Sequence, residues 1–165
     1  MRHYIADMSI LRLLKDNYYP EIFKRLWDTI DNLILAGKLL IIEPVYAEIE
    51  NGSKEDFLTI HFKTLKKEHR WKPAELPDGI EKVVKTITKK FKGRLSYSRN
   101  EADPYIVAYA IMKNKEDALF EYEYVVLTAE RYKPNGAKIP NMCKEFGIRY
   151  INLRDFLKEI GYTDT

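Results

Sequence analysis

The sequence predicts an α/β fold: a three-layer α/β/α sandwich with a mostly parallel sheet of four or five strands, in a single domain that spans residues 1–165. Short apolar runs, which are typical of strands buried on both faces, alternate along the chain with longer segments of helical periodicity. Alternation of this kind favours parallel strands covered by helices. No linker, internal repeat or low-complexity segment interrupts the pattern, so we expect one domain.

The first half of the chain contains two of the apolar runs. The predicted elements are, in order, a strand at 4–6, a helix at 9–15, a helix from Pro20 to Gly37, a strand at 39–42 and a helix from Pro44. Proline suits the first position of a helix, where its missing N–H is not needed, and glycine commonly ends one. Apolar residues at helical spacing after Pro20 predict that this helix buries one face.

The second half begins with two helices whose starts carry capping residues. Ser53 is the expected cap of the first, and Asp78 with Glu81 three residues later forms a capping-box pattern for the second. Between them, residues 71–78 contain two prolines and are expected to form a loop. The predicted elements that follow are a helix at 100–112, a strand at 124–127, a helix from Pro140, a strand at 148–151 and a helix at 153–160.

Composition limits the classes of protein to consider. The net charge of only +3 does not mark the whole chain as a nucleic-acid binder. The single cysteine, Cys143, has no partner for an internal disulfide or a cysteine-based zinc site, which indicates a reducing compartment. No window approaches the roughly 18 apolar residues of a membrane span, and no secretory apolar region follows the first residue. We therefore expect a cytoplasmic protein without membrane contact.

Four acidic residues follow apolar runs or stand near the starts of helices: Asp7, Glu48, Asp103 and Glu130. In an open α/β sheet such positions share one edge, where ligands bind. Carboxylates that converge there repel one another unless a hard cation such as Mg²⁺ or Mn²⁺ holds them, and this points to metal-assisted hydrolysis of phosphodiesters. Taken singly, each residue also has a structural explanation as a helix cap, a solvated helix residue or loop charge.

The sequence around these carboxylates resembles the PIN-domain nucleases, a family that includes the VapC toxins. Asp7, with Ser9 two residues later, is similar to the family's first acidic segment, and Glu48 to its second. Asp103 begins an alanine-rich helix that resembles the third segment. The motif Thr128-Ala-Glu130 resembles the fourth, in which the acid is more commonly Asp. The resemblance covers nearly the whole chain and implies a PIN-like fold.

The resemblance also implies an activity and a set of metal ligands. The tail over 138–148 is similar to a PIN-like subgroup of otherwise unknown function. Members of the wider family are Mg²⁺- or Mn²⁺-dependent ribonucleases, although some have lost activity. If this chain is such a ribonuclease, Asp7 and Asp103 are expected to bind the principal metal ion. Glu48 and Glu130 are expected to bind it through water or to orient the nucleophile.

Residues around the carboxylates complete the expected site. Ser9 and Thr128 are expected to hydrogen-bond the carboxylates, and Glu101 is a further acidic candidate. The residues expected to bind the backbone of an RNA substrate are Arg12, Arg99, Arg131 and Lys133. Lysines on the helix after Asp78 and a basic cluster around Trp71 form a further candidate surface, although the solvated side of a helix also explains the lysines.

The expected partners are an RNA substrate, an antitoxin protein and a second copy of the chain, the last two implied by the resemblance to VapC toxins. The alternative is a PIN-like module that binds RNA or a protein partner with weak or no catalysis. A phosphatase of the haloacid-dehalogenase type would need a second Asp two residues after Asp7, where Ser9 stands. A dinucleotide-binding role would need a Gly-rich turn after the first strand, and the sequence has none there.

Overall fold

A computed structural model describes residues 1–94 and 102–164. Its sheet has four parallel strands: β1 (Arg2–Ala6), β2 (Leu39–Leu40), β3 (Glu123–Leu127) and β4 (Tyr150–Ile151). Their order across the sheet is β2-β1-β3-β4. The α/β class and the parallel sheet expected from the sequence are therefore confirmed.

Eight α-helices connect and cover these strands within the described residues. In chain order they are α1 (Met8–Asn17), α2 (Lys24–Leu35), α3 (Glu43–Glu50), α4 (Phe57–Lys67), α5 (Ile80–Phe91), α6 (Ala102–Glu116), α7 (Ile139–Glu145) and α8 (Leu153–Glu159). A single 3₁₀ turn (Ala118–Phe120) lies between α6 and β3. None of the helices in this part of the chain is long and apolar enough to cross a bilayer.

Helices cover both faces of the sheet. Tyr4 of β1 packs edge-on against Phe156 of α8, with ring centroids 4.9 Å apart. Tyr124 of β3 packs against Tyr109 of α6, with ring centroids 6.3 Å apart. Tyr4 pairs in register with Val125, so Tyr124 points to the opposite face of the sheet. Helix α8 therefore lies on one face and α6 on the other, which makes the three layers.

The two central strands form the most deeply buried part of the sheet. Ile5 and Ala6 of β1, and Val125 and Val126 of β3, are fully buried. Helices on both faces exclude water from these strands, which is why they appear in the sequence as continuous apolar runs. Each buried branched side chain contributes roughly 1.5–3 kcal/mol relative to exposure in water.

The central strands also decide where a ligand site can form. Ala6 pairs with Leu127, so β1 and β3 end at the same level. The Asp7 N–H then donates to the Leu127 carbonyl at 3.2 Å. From β1 the chain proceeds to β2 on one side, whereas β3 and β4 lie on the other side, so the strand order reverses between β1 and β3. The carboxyl ends of strands at such a reversal are the usual ligand site of open α/β sheets, and Asp7 and Thr128 directly follow the two strands here.

Three helix starts differ from the sequence predictions. Helix α2 begins at Lys24 instead of Pro20, α4 begins after Asp56 instead of Ser53, and α5 begins after Gly79 instead of Asp78. Asp56 takes the capping role because its carboxylate accepts the Thr59 N–H at 3.1 Å. Gly79 has a φ of 80°, a left-handed conformation that glycine adopts easily, and it occupies the cap position that Asp78 was expected to fill.

Strand β2 is shorter than the predicted strand at 39–42, because residues 41 and 42 of the predicted strand pair with Ala74. The Ala74 N–H donates to the Ile41 carbonyl at 2.8 Å, and the Glu43 N–H donates to the Ala74 carbonyl at 3.1 Å. The loop expected at 71–78 thus contributes a one-residue bridge between Ala74 and Ile42. Helix α6 extends beyond its predicted end to Glu116, and its predicted start at residue 100 lies outside the described residues.

Candidate active site

Asp7 directly follows β1 and caps the first turn of α1. It is only 2% exposed, and its Oδ1 accepts a hydrogen bond from the Ile10 N–H at 2.9 Å. This cap explains why a carboxylate is tolerated at the end of a buried strand. A cap needs only one of the two carboxylate oxygens, however, and the hydroxyls described next contact both.

Two hydroxyl groups hold the Asp7 carboxylate. Thr128 Oγ1 donates to Asp7 Oδ2 at 2.6 Å, and Ser9 Oγ lies 2.7 Å from each carboxylate oxygen. The backbone decides the direction of these bonds. Ser9 Oγ accepts the Ala129 N–H at 3.0 Å, and Thr128 Oγ1 accepts the Glu130 N–H at 3.0 Å. Because both hydroxyl oxygens already accept from the backbone, their protons are available to donate to Asp7.

The buried position of Asp7 changes its acidity. Burial raises the pKa of Asp7 to about 6, although the hydrogen bonds from Thr128, Ile10 and Ser9 act in the opposite direction. The nearby charge of Glu130 is a smaller contribution to the same rise. The fold thus keeps this carboxyl group almost entirely out of contact with solvent. Perturbed carboxylates of this kind are concentrated at functional sites.

Asp103 stands in the first turn of α6 and is 7% exposed. Burial is the main reason that the pKa of Asp103 is raised, to about 8. The charges of Glu130, Asp7 and Glu48 are smaller contributions to this rise, and the charge of Lys138 opposes it. Because such effects weaken with distance, the three other carboxylates lie within electrostatic range of Asp103. The structure therefore brings Asp7, Glu48 and Glu130 into the electrostatic neighbourhood of Asp103.

Glu130 is held at the start of α7. Its Oε2 accepts the Ile139 N–H at 2.9 Å, and its Oε1 lies 4.0 Å from Lys138 Nζ. Ile139 is the first residue of α7, where N–H groups have no partner within the helix and a negative charge is favourable. Glu130 thus has a structural role in addition to its electrostatic effect on Asp7 and Asp103.

Glu48 lies on α3 and is only partly buried. Burial raises the pKa of Glu48, and the nearby Arg12 guanidinium lowers it. Arg12, one of the residues expected to bind substrate, is exposed on α1. The structure therefore brings an accessible guanidinium, which suits a phosphate oxygen, close to the acidic edge.

The donor atoms at this edge determine which metal could bind. The four side chains offer only carboxylate oxygens, which suit Mg²⁺ or Mn²⁺ better than metals that prefer sulfur or imidazole. Within residues 1–94 and 102–164, no group of three or more His, Cys, Asp or Glu side chains is arranged to hold one ion directly. Mg²⁺ usually keeps several waters and needs only one or two protein carboxylates. The donor chemistry of these side chains therefore suits such an ion, although the described residues form no complete protein cage for it.

The remaining predicted residues follow β3 along the chain or lie outside the described residues. Arg131 and Lys133 are exposed in the segment between β3 and α7. Arg99 and Glu101 lie outside the described residues, so the predictions for them stay predictions.

Two residues close to the site were not predicted to have a role. Lys138 lowers the pKa of Asp103, as described above. Asn141 is 4% exposed and donates from Nδ2 to the Lys133 carbonyl at 2.6 Å, whereas its buried Oδ1 has no hydrogen-bond partner among the described residues. Both belong to the Lys-Ile-Pro-Asn segment that resembles the PIN-like subgroup, and this resemblance was the signal in the sequence that could have identified them.

A parallel four-stranded sheet with carboxylates at its carboxyl edge is the architecture expected of the PIN-like class, and comparison with solved structures confirms that fold. The chain is similar to one in a crystal structure of VapBC2 from Rickettsia felis bound to a DNA fragment from their promoter, and to one in a crystal structure of DNA-bound VapBC from Salmonella typhimurium. Each alignment has a TM-score of 0.52 and 15% identity, and covers 92% of this chain and 98% of the other.

The protein belongs to the family described as Domain of unknown function (DUF4411), whose model matches residues 4–163. No curated protein sequence matches the chain.

Proposed function

We propose that this protein is a metal-dependent endoribonuclease, which hydrolyses phosphodiester bonds of RNA with Mg²⁺ or Mn²⁺ and acts as the toxin of a toxin–antitoxin pair. The observation that supports this most is the burial of Asp7 and Asp103 at the carboxyl edge of the sheet, with a pKa of about 8 for Asp103. Folding acids together in this way costs stability, so the arrangement is expected where a cation or a transferred proton compensates for the repulsion.

In this proposal Asp7 and Asp103 hold the cation. A bound divalent cation supplies Lewis-acid stabilisation of the phosphate and makes water more acidic. The Ile10 N–H and the Ser9 and Thr128 hydroxyls hold Asp7 in one orientation. Its side chain therefore does not need to change conformation to bind the cation.

The other residues of the expected site handle the water and the substrate. Glu48 and Glu130 contact the cation through water or orient the attacking water, and the raised pKa of Glu48 favours it as a proton acceptor. Arg12, Arg99, Arg131 and Lys133 bind the RNA backbone, and Glu101 adds negative charge.

Cleavage of an end-labelled single-stranded RNA tests the proposal. The wild-type protein is expected to produce fragments with Mn²⁺ or Mg²⁺ and none in EDTA. Asp7→Asn and Asp103→Asn preserve side-chain size but remove the charge, so both are expected to abolish cleavage. Asp28→Asn, at an exposed position on α2, is the matched control and should cleave like the wild type. Cleavage that persists in EDTA, or in both active-site variants, would refute the metal mechanism.

The proposed partners follow from the similar structures, which are VapBC complexes bound to DNA. We propose that this chain, as one cytoplasmic domain over residues 1–165, forms a homodimer and binds an antitoxin protein. In the same assay, a small protein encoded beside this chain is expected to stop cleavage when added in equimolar amount. Continued cleavage in its presence would contradict the toxin–antitoxin part of the proposal and leave the nuclease part standing.

The second candidate is a PIN-like module that binds RNA or a protein partner without cleaving RNA. The observation that favours it is that the carboxylates, within the described part of the chain, do not form a complete cage for an ion. Retained RNA binding with no cleavage under any metal condition would favour this module over the nuclease.

A further inference from the structure

A groove of about 990 Å³ opens beside the carboxylate edge. Its lining begins with Thr128 and Glu130, directly after β3, and continues past the end of β4 to α8. Thr128 also donates to Asp7, so one end of the groove is part of the candidate active site. The volume is at the upper end of the range for small-ligand pockets, which leaves room for a short stretch of a polymer. A chain lying in this groove would pass the acidic edge.

Four tyrosines line the groove: Tyr18, Tyr132, Tyr150 and Tyr162. Tyr132 is 44% exposed, and the other three are partly exposed. The Lys144 ammonium lies 4.5 Å from the centroid of the Tyr132 ring, which holds that ring in place from one side. Accessible aromatic faces are stacking platforms for unpaired bases. In a duplex the base faces are covered by neighbouring bases, so such platforms favour single strands.

Three cations line the same groove: Arg131, Arg154 and Lys158. All three are exposed, and none of them takes part in an ion pair among the described residues. The acids in the lining are Glu130 and Asp155, so the three cations outnumber them. Unpaired positive charge is therefore in excess, and this favours a polyanion.

The groove is less suited to the apolar face of a peptide helix. Among its apolar residues, Ile151 and Leu153 are only 7% and 6% exposed, so they belong to the core more than to the surface. Leu13 and Leu157 are partly exposed, whereas the exposed residues of the lining are Tyr132, three cations, Asn152 and Asp155, so its accessible part is mainly aromatic and cationic. That combination is typical of sites for single-stranded nucleic acid.

We propose that this groove binds a single-stranded segment of nucleic acid beside the acidic edge, with bases stacked on tyrosines such as Tyr132 and phosphates paired with Arg154 and Lys158. The identification of the strand as RNA substrate rests on the proposed function. The binding itself needs no cleavage and no divalent cation.

Fluorescence anisotropy with a labelled 12-nucleotide single-stranded RNA, in EDTA, tests this inference. Tyr132→Ala is expected to weaken binding by about fivefold or more, whereas Tyr132→Phe retains the ring and should bind like the wild type. The aromatic control is Phe120→Ala, which removes a ring that is 67% exposed and does not line the groove.

Arg154→Ala is expected to reduce the slope of log affinity against log salt by about 0.7, the value for one phosphate contact on a single strand. Lys115→Ala, at an exposed position at the end of α6, is the charge control and should leave the slope unchanged. A duplex of the same sequence is expected to bind more weakly than the single strand.

Normal RNA binding by both Tyr132→Ala and Arg154→Ala would overturn the inference, as would equal affinity for duplex and single strand. Loss of binding to a protein partner in these variants, with RNA binding unchanged, would also overturn it and identify the groove as a protein site. Binding through the groove without any cleavage by the wild type would refute the proposed function alone. If the wild type cleaves RNA and the groove variants bind RNA normally, the inference about the groove is refuted and the proposed function stands.

Discussion

Asp103→Asn is expected to stabilise the metal-free protein increasingly as the pH rises. Because the pKa of Asp103 is raised from 3.8 to about 8, the folded protein keeps a proton that the unfolded chain releases between about pH 4 and pH 8. The free energy of unfolding of the wild type therefore falls as the pH rises through this range. Asparagine is neutral at every pH, so the variant does not lose this contribution.

The expected magnitude follows from the size of the pKa change. For an isolated group, each pH unit between the two pKa values changes the free energy of unfolding by ~1.4 kcal/mol, so the interval from pH 5 to pH 8 amounts to ~4 kcal/mol. The pKa of Asp7 is also raised, to about 6, so Asp7 shares the repulsion and takes up a proton in part of the same range, and we expect about half of this value, ~2 kcal/mol.

Urea unfolding at pH 5 and pH 8 in EDTA measures this effect. The difference in the free energy of unfolding between Asp103→Asn and the wild type should grow by ~2 kcal/mol over that interval. Asp28→Asn should show no such growth. A difference that is the same at both pH values would refute the reasoning that Asp103 is buried among like charges. Adding Mn²⁺ at pH 8 should stabilise the wild type and not the variant, because only the wild type keeps both proposed ligands.

Thr128→Val is expected to lower the rate of RNA cleavage by about 10- to 100-fold, because it removes the hydroxyl that donates to Asp7. Thr128→Ser keeps that hydroxyl and should keep most of the activity, so equal rates for the two variants would contradict the role of the hydrogen bond. Gly52→Ala is expected to destabilise the fold by ~2 kcal/mol, because a Cβ there would lie 2.3 Å from Thr59 Oγ1, which donates to the Ile49 carbonyl. Thermal unfolding measures this loss, and a cost that does not shrink in a Thr59→Ala background would rule out the clash as its cause.

The elements predicted most accurately are those for which a local pattern is sufficient. The apolar run at 124–127 became β3 (Glu123–Leu127), and the proline at 140 stands in the first turn of α7 (Ile139–Glu145). Helix starts were less accurate where several capping residues compete within a few positions. Asp56 rather than Ser53 caps α4, and the choice between them depends on how the preceding turn packs.

The convergence of the acidic edge was partly predictable. Parallel strands end at one edge of the sheet, and this rule predicts that Asp7 and Thr128 lie near each other. The register of Ala6 with Leu127 brings Thr128 Oγ1 to 2.6 Å from Asp7 Oδ2, although the two residues are 121 positions apart in the chain. The partners of Glu130 were not predictable in this way. Its contact with the Ile139 N–H depends on where α7 begins after the intervening loop.

The apolar periodicity of the sequence and the positions of its proline, glycine and capping residues were enough to predict the α/β class, the four strands and the acidic candidates. These features follow from local geometry and from the burial of apolar residues away from water. Only the folded molecule could show that Asp103 has a pKa of about 8, that backbone amides direct two hydroxyls at Asp7, and that a groove lined with tyrosines and cations adjoins the acidic edge. Desolvation and charge repulsion depend on burial and distance in three dimensions, and neither is specified until distant segments pack together.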